Sequence, residues 1–237
     1  MSLADELKKA VNETLYTKWD IRDGRTVPAT ENVALAGGGV ELDATVLYAD
    51  LAQSSRLASE LDRRVAAKVV KSFLVCACRL VTHCDGVITS FDGDRVMGVF
   101  VGDSKNSNAG KCALHIKYAV GEIITPTLTE YFKSLRTEGF SISHGVGADT
   151  GTILAVRAGQ RGSNDLVWIG RAPNFAARLS DLREEGYNSF ISEDVFDRLN
   201  EKSKYGGDPK KLMWEKRSLE WLGATMTVYR SGWQWKP

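Results

Sequence analysis

Residues 43–49, DATVLYA, decide the fold, because they are rich in β-branched and aromatic side chains and lead directly into a carboxylate, Asp50. Such a run is typical of a short buried strand. Residues 86–91 and 95–101 predict two more strands, joined at Asp92-Gly93, a dipeptide that favours a tight hairpin turn. We therefore expect a sheet in which residues 43–49 lie beside this hairpin.

Helical patterns flank these strands. Apolar residues recur at helical spacing over about residues 54–83, with Ser54 and Ser55 as candidate N-caps, and predict one long helix. A second helical stretch covers about residues 108–133, in which Pro126 predicts a kink. Helices and short strands therefore alternate in this part of the chain.

The second half continues the alternation. Residues 140–147 and 152–156 predict a second hairpin around residues 149–151 (Asp-Thr-Gly), and residues 166–169 predict a strand that leads into a helix from Pro173. Strands and helices interleave without a strict βαβ period. This order favours an α/β (α+β) sandwich, with a mostly antiparallel central sheet flanked by helices.

The first 39 residues are predicted to be an appendage. Residues 3–16 carry apolar side chains on one helical face, and a polar stretch follows that ends in the glycine triplet 37–39. The triplet lacks the Lys-Ser or Lys-Thr of a P-loop and is typical of a flexible joint. We expect a helical appendage and linker over residues 1–39 and one compact domain over residues 40–237.

Composition excludes several classes of protein. The 237 residues carry 31 Lys plus Arg and 30 Asp plus Glu, a net charge of +1, which argues against a general nucleic-acid binder. No apolar run approaches the ~20 residues of a membrane helix, and the polar start is no signal peptide. The four cysteines lack zinc-ligand spacing and indicate buried thiols. We expect a soluble, cytoplasmic protein with neither nucleic acid nor a membrane as partner.

Two aspartates are the candidates for chemistry. Asp50 follows the first strand and Asp94 lies at the hairpin turn, so both reach one sheet edge if these strands pair. Each alone is typical of a turn or a helix cap. Together they repel each other unless a divalent cation relieves the repulsion, and Mg²⁺ prefers such oxygen ligands completed by substrate phosphates. Two ions ~3.5–4 Å apart would hold the attacking and leaving oxygens of a phosphoryl displacement.

Four ordered motifs extend this pair: LYADLAQSS (47–55), GDRVMGVF (93–100), HGVGADTGTILA (144–155) and WIGRAPNFAARL (168–179). In order and spacing they resemble the catalytic domain of class III nucleotidyl cyclases, over about residues 43–230. The resemblance implies the class III cyclase sandwich and a head-to-tail homodimer. Each active site would then take its metal aspartates from one protomer and an Asn/Arg helix from the other.

The resemblance implies a role for each matching residue. Asp50 and Asp94 match the metal-binding aspartates, and the Leu51 carbonyl matches the backbone ligand, for two Mg²⁺ or Mn²⁺ ions per site. Asn174 and Arg178 match the pair that orients the ribose and stabilises the transition state. Their spacing of four also places them on one helix face.

Arg178 has a simpler alternative, a surface salt bridge to Asp181 on the same helix. The catalytic interpretation is favoured because an Asn-x₃-Arg face after a strand–glycine turn fits a phosphoryl-transfer site. A planar guanidinium also suits the charge that develops on the α-phosphate.

The positions that read a purine depart from the family pattern. Adenylate-forming members place a lysine at the position of Ser90 and an aspartate or threonine at that of Val167, whereas guanylate-forming members place glutamate and cysteine there. Loss of both readers beside an intact catalytic set indicates a changed base preference. The chain therefore resembles the pyrimidine cyclases of Pycsar antiphage defence systems, whose cyclic UMP or cyclic CMP signals to a separate effector.

A pyrimidine is smaller than a purine and leaves space that bulkier side chains should fill. The predicted base-contacting residues are the two altered positions and four neighbours: Tyr48, Ser90, Phe91, Arg95, Val167 and Trp168. Arg95 would suit the carbonyl acceptors of uracil, and Tyr48 could donate or accept. The alternatives are that Tyr48 and Trp168 are core aromatics and that Arg95 pairs with Asp92 or Asp94.

The triphosphate site also departs from the family. Many class III cyclases carry a Lys-Gly-Lys-Gly stretch near the C-terminus, whose lysine holds the terminal phosphates. The matching residues 220–224, EWLGA, contain no lysine. Lys216 or Arg217 could replace this lysine, or the metal could bind the terminal phosphates instead.

These observations predict a nucleotidyl cyclase, a phosphorus–oxygen lyase that converts UTP, or else CTP, to the 3′,5′-cyclic nucleotide and pyrophosphate. One alternative is an adenylate cyclase with atypical base recognition. The other is a cyclase-like domain that binds nucleotide or a partner without turnover.

Overall fold

The computed structural model describes all 237 residues, Met1–Pro237. Its helices are α1 (Leu3–Tyr16), α2 (Ser54–Glu60), α3 (Arg63–His83), α4 (Lys105–Tyr118), α5 (Thr125–Tyr131), α6 (Lys133–Thr137), α7 (Arg171–Ser180), α8 (Glu193–Asp197) and α9 (Glu201–Lys204). Its strands are β1 (Asp20–Asp23), β2 (Gly38–Leu51), β3 (Val87–Asp92), β4 (Arg95–Val101), β5 (His144–Gln160), β6 (Ser163–Ile169), β7 (Ser189–Ser192), β8 (Tyr205–Gly206), β9 (Lys211–Leu212), β10 (Glu215–Trp221) and β11 (Ala224–Ser231).

Nine of the strands form one sheet, in the order β10-β11-β7-β5-β2-β4-β3, with β1 beside β2 and β6 beside β5. All neighbours run antiparallel except β1 with β2 and β5 with β7. The predicted sandwich with a mostly antiparallel sheet is confirmed. None of the helices combines the length and the apolar character that crossing a bilayer requires.

The sheet has helices on both faces, and the alternation of β2 decides which side chains meet them. Odd-numbered residues such as Leu47 and Leu51 belong to the larger core, which packs α3 and α4 on the sheet. Even-numbered residues such as Leu42 and Val46 belong to a second core beneath α7. Because successive side chains of a strand point to opposite faces, Asp50 lies on the α7 face.

Two glycines of β5 allow α7 to approach the sheet closely. A Cβ on Gly147 would lie 2.2 Å from the carbonyl oxygen of Ala176, and one on Gly145 would lie 2.2 Å from that of Ser180. Only glycine fits beneath the helix at these positions without displacing its backbone. The HGVG motif therefore sets the height of α7 above β5.

The second predicted hairpin is wrong, because β5 runs without a break from His144 to Gln160. The residues that indicated a turn find partners inside the sheet, although Oδ2 of Asp149 is buried without one. Asp149 is fully buried and its carboxylate lies 3.0 Å from the guanidinium of Arg171. Thr150 accepts a hydrogen bond from the Thr45 hydroxyl and donates one to the Ala44 carbonyl. The true hairpin partner of β5 is β6.

The long helix predicted over residues 54–83 is two helices. The chain leaves α2 at Leu61 and starts α3 at Arg63, with Asp62 as the N-cap whose carboxylate accepts from the Arg64 amide. The predicted caps Ser54 and Ser55 lie inside the first turn of α2, which begins after Gln53 in the left-handed region. A capping aspartate inside an apolar pattern is enough to divide a helix.

The helical stretch in which Pro126 predicts a kink departs from α-helical geometry just before that proline. A π-helical turn spans Ala119–Ile124 between α4 and α5, and Pro126 lies in the first turn of α5. Proline removes an amide donor and crowds the carbonyl four residues earlier, inside that turn.

The N-terminal helix predicted over residues 3–16 is confirmed as α1. The glycine triplet is not a flexible joint, since Gly38 and Gly39 begin β2 and pair in parallel with Asp20 and Ile21 of β1. The domain boundary at residue 40 stays a prediction, and the β1–β2 pairing crosses it.

Candidate active site

The predicted carboxylates meet where β2 ends and β4 begins, on the α7 side of the sheet. We call this place the carboxylate edge and define it by Asp50, Asp94, Arg95 and Arg183. Asp50 of β2 lies opposite Arg95 of β4. Arg95 directly follows Asp94, which lies in the turn between β3 and β4. The two aspartates are near enough for the charge of Asp94 to act on Asp50.

The electrostatics of the carboxylate edge fit a bound cation. Burial raises the pKa of Asp50, and the charge of Asp94 raises it further, against the opposite effects of Arg183 and Arg95. One carboxylate oxygen of Asp94, Oδ2, is buried and forms no hydrogen bond. Two like charges with an unpartnered buried oxygen are the arrangement that a divalent ion stabilises.

The protein supplies few ligands for such an ion. The structure contains no group of three or more His, Cys, Asp or Glu side chains placed to bind a metal. Leu51, whose carbonyl was predicted as a ligand, follows Asp50 at the end of β2 with its side chain in the core. An ion bound by the two aspartates would complete its shell with backbone, water or substrate oxygens, as Mg²⁺ commonly does.

Arg95 lies at the carboxylate edge and makes several contacts. Its guanidinium is 2.9 Å from the carboxylate of Asp92, 3.6 Å from that of Asp181, and 5.2 Å above the centre of the Tyr48 ring. Tyr48 is partly buried and packs against the second core, and burial raises the pKa of its hydroxyl. The predicted pairing of Arg95 with Asp92 is therefore present beside a cation–π contact.

Sequence reasoning missed Arg183, in the loop after α7. Its Nη2 donates to Oδ2 of Asp50 at 2.5 Å, and its Nη1 donates to the backbone carbonyls of Ser180 and Leu182. Arg183 and Asp50 are 133 residues apart. No local pattern could have connected the two before β5 and α7 were placed beside β2.

Asn174 and Arg178 share one exposed side of α7, as their spacing predicted. The Asn174 amide donates to the Gly170 carbonyl at 3.0 Å, and Arg178 forms no hydrogen bond or ion pair within the chain. The alternative salt bridge from Arg178 to Asp181 is wrong, because Asp181 pairs with Arg95. The α7 pair thus makes no polar contact with the carboxylate edge of its own chain.

The other predicted base-contacting residues are distributed over β3 and β6. Ser90 pairs with Met97 after a bulge in β3 and is partly exposed. Trp168 packs on the second core, with its Nε1 buried and unpartnered, while Val167 points to the opposite side of β6 and is 45% exposed. Phe91 is 59% exposed near the end of β3. Their contact with a base stays a prediction.

The candidate replacements for the missing lysine are already paired. Lys216 lies 3.4 Å from Glu193, and Arg217 forms an ion pair with Glu184, both within the chain. Residues 220–224 span the end of β10, the turn and the start of β11, and Leu222 in the turn is 85% exposed. A cleft of about 840 Å³ lies beside Trp214 and Trp233, and of the predicted site residues only Lys216 lines it.

Proteins of similar sequence are named uridylate cyclases. The chain is 48% identical over 237 residues to a uridylate cyclase from Rhodovulum sp. (strain MB263), covering 100% of this chain and 99% of that one. It is 40% identical to a uridylate cyclase from Burkholderia cepacia, covering 99% of each chain. No family model matches the sequence.

Solved structures agree in fold. The crystal structure of the guanylyl cyclase Cya2 superposes with a TM-score of 0.69 at 18% identity, covering 84% of this chain and 96% of that one. At this identity the likeness shows the shared fold alone.

Proposed function

The chain belongs to the class III nucleotidyl cyclases, among relatives that are named uridylate cyclases, and on that premise we propose that it converts UTP to 3′,5′-cyclic UMP and pyrophosphate. In this reaction the 3′-hydroxyl oxygen attacks the α-phosphorus, the bond to the β-phosphate breaks, and the hydroxyl proton passes to solvent. One observation carries the choice of base. The catalytic positions are filled, while both purine-reading positions hold Ser90 and Val167.

The carboxylate edge supports the metal part of this proposal. Asp50 and Asp94 would hold the ions, because the charge of Asp94 acts on Asp50 and Asp94 Oδ2 has no partner in the chain. Two Mg²⁺ or Mn²⁺ ions would activate the 3′-hydroxyl and neutralise charge on the triphosphate. Asp50 must be ionised to take part, so the charge of Arg183, which lowers its pKa, favours the competent form.

The exposed pair on α7 supports a shared active site. Arg178, free of internal ion pairs, would donate to the α-phosphate oxygens as charge builds on them, and Asn174 would orient the ribose. Neither contacts the carboxylates of its own chain. A second copy in two-fold arrangement would bring its α7 to this edge and complete the site, and two such sites would form per homodimer.

Arg95 and Tyr48 support recognition of a pyrimidine. The guanidinium of Arg95 lies over the Tyr48 ring beside the carboxylate edge, where a base next to the bound ribose would lie. Arginine donates only, and uracil presents two carbonyl acceptors, O2 and O4. Cytosine keeps one of them, so UTP is preferred over CTP on this chemistry.

The biological part of the proposal follows from the resemblance to Pycsar cyclases. Cyclic UMP would act as a second messenger in antiphage defence and would be bound by a separate effector protein. The substrate would come from the cytoplasmic nucleotide pool.

The test is to incubate the purified protein with Mn²⁺ or Mg²⁺ and with ATP, GTP, CTP and UTP in separate reactions, and to identify products by mass spectrometry. We expect cyclic UMP as the dominant product, with Asp50→Asn as the inactive control. Dominant cyclic AMP would contradict the choice of base and identify an adenylate cyclase with atypical recognition. No product from any nucleotide, in a protein that still binds UTP, would identify a binding domain without turnover.

A further inference from the structure

Arg183 is the basic residue whose side chain hydrogen-bonds directly to a predicted metal ligand, Asp50. Its Nη2 donates to Asp50 Oδ2 at 2.5 Å, and this contact bridges the loop after α7 to the end of β2. The side chain of Arg183 is 38% exposed and that of Asp50 is 17% exposed. A guanidinium therefore already bonds one of the two carboxylate oxygens with which Asp50 would bind an ion.

The guanidinium is anchored independently of Asp50. Nη1 donates to the carbonyls of Ser180, at 2.5 Å, and of Leu182, at 2.9 Å. These oxygens lie at the C-terminal end of α7, which carries partial negative charge and favours a cation. Arg183 would therefore stay at the carboxylate edge after losing its bond to Asp50.

The same side chain has unused donors. A guanidinium carries five N–H groups, and Arg183 uses two at Nη1 and one at Nη2. The Nε group and one Nη2 hydrogen have no partner in the chain. An anchored, partly exposed arginine with spare donors is suited to binding a phosphate.

The terminal phosphates otherwise lack an assigned protein cation. Residues 220–224 contain no lysine, and Lys216 and Arg217 are paired with Glu193 and Glu184. The α7 arginine, Arg178, is committed to the α-phosphate in the proposed reaction. Among the basic residues at the carboxylate edge this leaves Arg183 and Arg95, and Arg95 is already held by Asp92 and Asp181.

We infer that Arg183 has two successive partners: Asp50 before the metal binds, and the terminal phosphates of the nucleotide after the metal has taken Asp50. The inference rests on the proposed function and adds a triphosphate-binding residue to it. The arginine neutralises Asp50 in the empty site, then supplies the positive charge that the missing lysine supplies in other cyclases. Metal binding and phosphate binding are coupled, because each ion that occupies Asp50 frees a donor of Arg183.

Two binding measurements test the inference without turnover. The first is the affinity for Mn²⁺ alone, measured by electron paramagnetic resonance at pH 8. We expect Arg183→Gln to bind Mn²⁺ about threefold or more tightly than the unchanged protein, because a competing positive charge is removed from Asp50. The second is the affinity for inorganic tripolyphosphate with saturating Mn²⁺. We expect Arg183→Gln to weaken it about tenfold, the usual size for a lost charged hydrogen bond.

Controls separate this from a structural effect. Arg136→Gln removes an exposed arginine on α6 and should leave both affinities unchanged. Arg183→Lys keeps the charge but loses the fork, so it should recover part of the tripolyphosphate affinity. A structural defect would weaken both ligands together, whereas the inference requires opposite changes.

The two affinities of Arg183→Gln either support the inference or overturn it. Tighter Mn²⁺ with weaker tripolyphosphate supports the inference. The inference is overturned if Arg183→Gln binds Mn²⁺ no more tightly than the unchanged protein, or if it binds tripolyphosphate equally well. It is also overturned if the unchanged protein binds neither ligand. Loss of tripolyphosphate in Lys216→Gln alone would assign the phosphates to β10 and overturn it also. Tripolyphosphate has no base, so these measurements do not depend on UTP conversion. If both affinities change as expected but UTP is not converted, the proposed function is contradicted while Arg183 is still assigned to phosphate binding.

Discussion

Arg95 lies directly opposite Asp50 in the β2–β4 pairing, and its guanidinium covers the ring of Tyr48, two residues before that aspartate. One side chain thus contacts an aromatic ring and lies beside the predicted metal ligands. Sequence reasoning treated recognition of the base and pairing with an aspartate as alternatives for Arg95. The two roles are compatible, since a guanidinium carries five N–H donors and can hold Asp92 and Asp181 while still offering a donor to a base.

Substitution of Arg95 should therefore change base preference. We expect Arg95→Gln to lower kcat/KM for UTP by about 10- to 100-fold, the range for losing a charged hydrogen bond, and to lower that for ATP less. Steady-state kinetics with all four nucleotides measures the ratio. An equal loss for every nucleotide would mean that Arg95 acts through Asp50 instead.

Removal of either carboxylate should abolish turnover. Asp50→Ala and Asp94→Ala should lose cyclase activity while the circular dichroism spectrum stays unchanged, because both lie at the end of the sheet and outside the core. Activity that survives in either variant would exclude it as a metal ligand. Arg217→Gln, which breaks an ion pair away from this edge, is a suitable charged control for stability.

A shared site predicts complementation. Asp94→Ala and Arg178→Ala should each be inactive, and their mixture should regain activity, because one site of each heterodimer combines the intact Arg178 and the intact Asp94. Activity after mixing, with heterodimers verified by mass spectrometry, is the measurement. Heterodimers that form and remain inactive would contradict a site built from two copies.

The height of α7 depends on Gly147. Gly147→Ala places a Cβ 2.2 Å from the Ala176 carbonyl, so the helix must move away from β5. We expect a loss of about 1–3 kcal/mol or more in the free energy of unfolding, with reduced kcat since Asn174 and Arg178 move with the helix. Gly121→Ala meets its nearest atom at 3.5 Å and should have little effect. Urea unfolding and kinetics of both variants compare the two positions.

Stability should fall in mild acid because of His144. Burial lowers the pKa of this histidine to about 3, and neither ring nitrogen has a hydrogen-bond partner. The unfolded chain binds a proton near pH 6.5 and the folded chain does not, so stability present above pH 6.5 is lost as pH falls below it. Between pH 7 and pH 5 the loss from this residue is about 2 kcal/mol.

The matched variant for this effect is His144→Leu. Urea unfolding at pH 7 and pH 5 should show a smaller difference for it than for the unchanged protein, because the remaining titrating groups are common to both. An identical difference in the two proteins would mean that His144 titrates normally. His115, whose pKa burial also lowers, stays present in both.

Much of the site could be predicted because its residues are local to motifs. Asp50 ends a strand with a strong β pattern, Asp94 lies in a hairpin turn with Asp92-Gly93, and Asn174 and Arg178 are one helical turn apart. Each position follows from chain geometry over fewer than about ten residues. The structure keeps all four in the predicted elements.

The predictions that failed concern residues whose contact partners are distant in the sequence. The Asp-Thr-Gly sequence of β5 has turn propensity, yet inside the sheet Arg171 pairs with the carboxylate of Asp149 and Thr45 donates to the hydroxyl of Thr150. Arg183 carries no pattern of its own and meets Asp50 only because Gly145 lets the end of α7 lie against β5. Tertiary contacts override local preference at such positions.

The pairing of β2 with β5 also sets the order in which the molecule can assemble. Its partners are about a hundred residues apart in sequence, from Leu51 with His144 to Gly39 with Val156. Because loop closure over this separation must be paid for before the contacts form, we expect them to form after the local β3–β4 hairpin and α3. During synthesis both aspartates predicted to bind metal leave the ribosome long before the strand that covers one edge of β2. A nascent chain therefore holds a hydrophobic strand with one edge unpaired until β5 arrives, even after β4 has paired with the other edge. An unpaired strand edge of this kind is prone to aggregation.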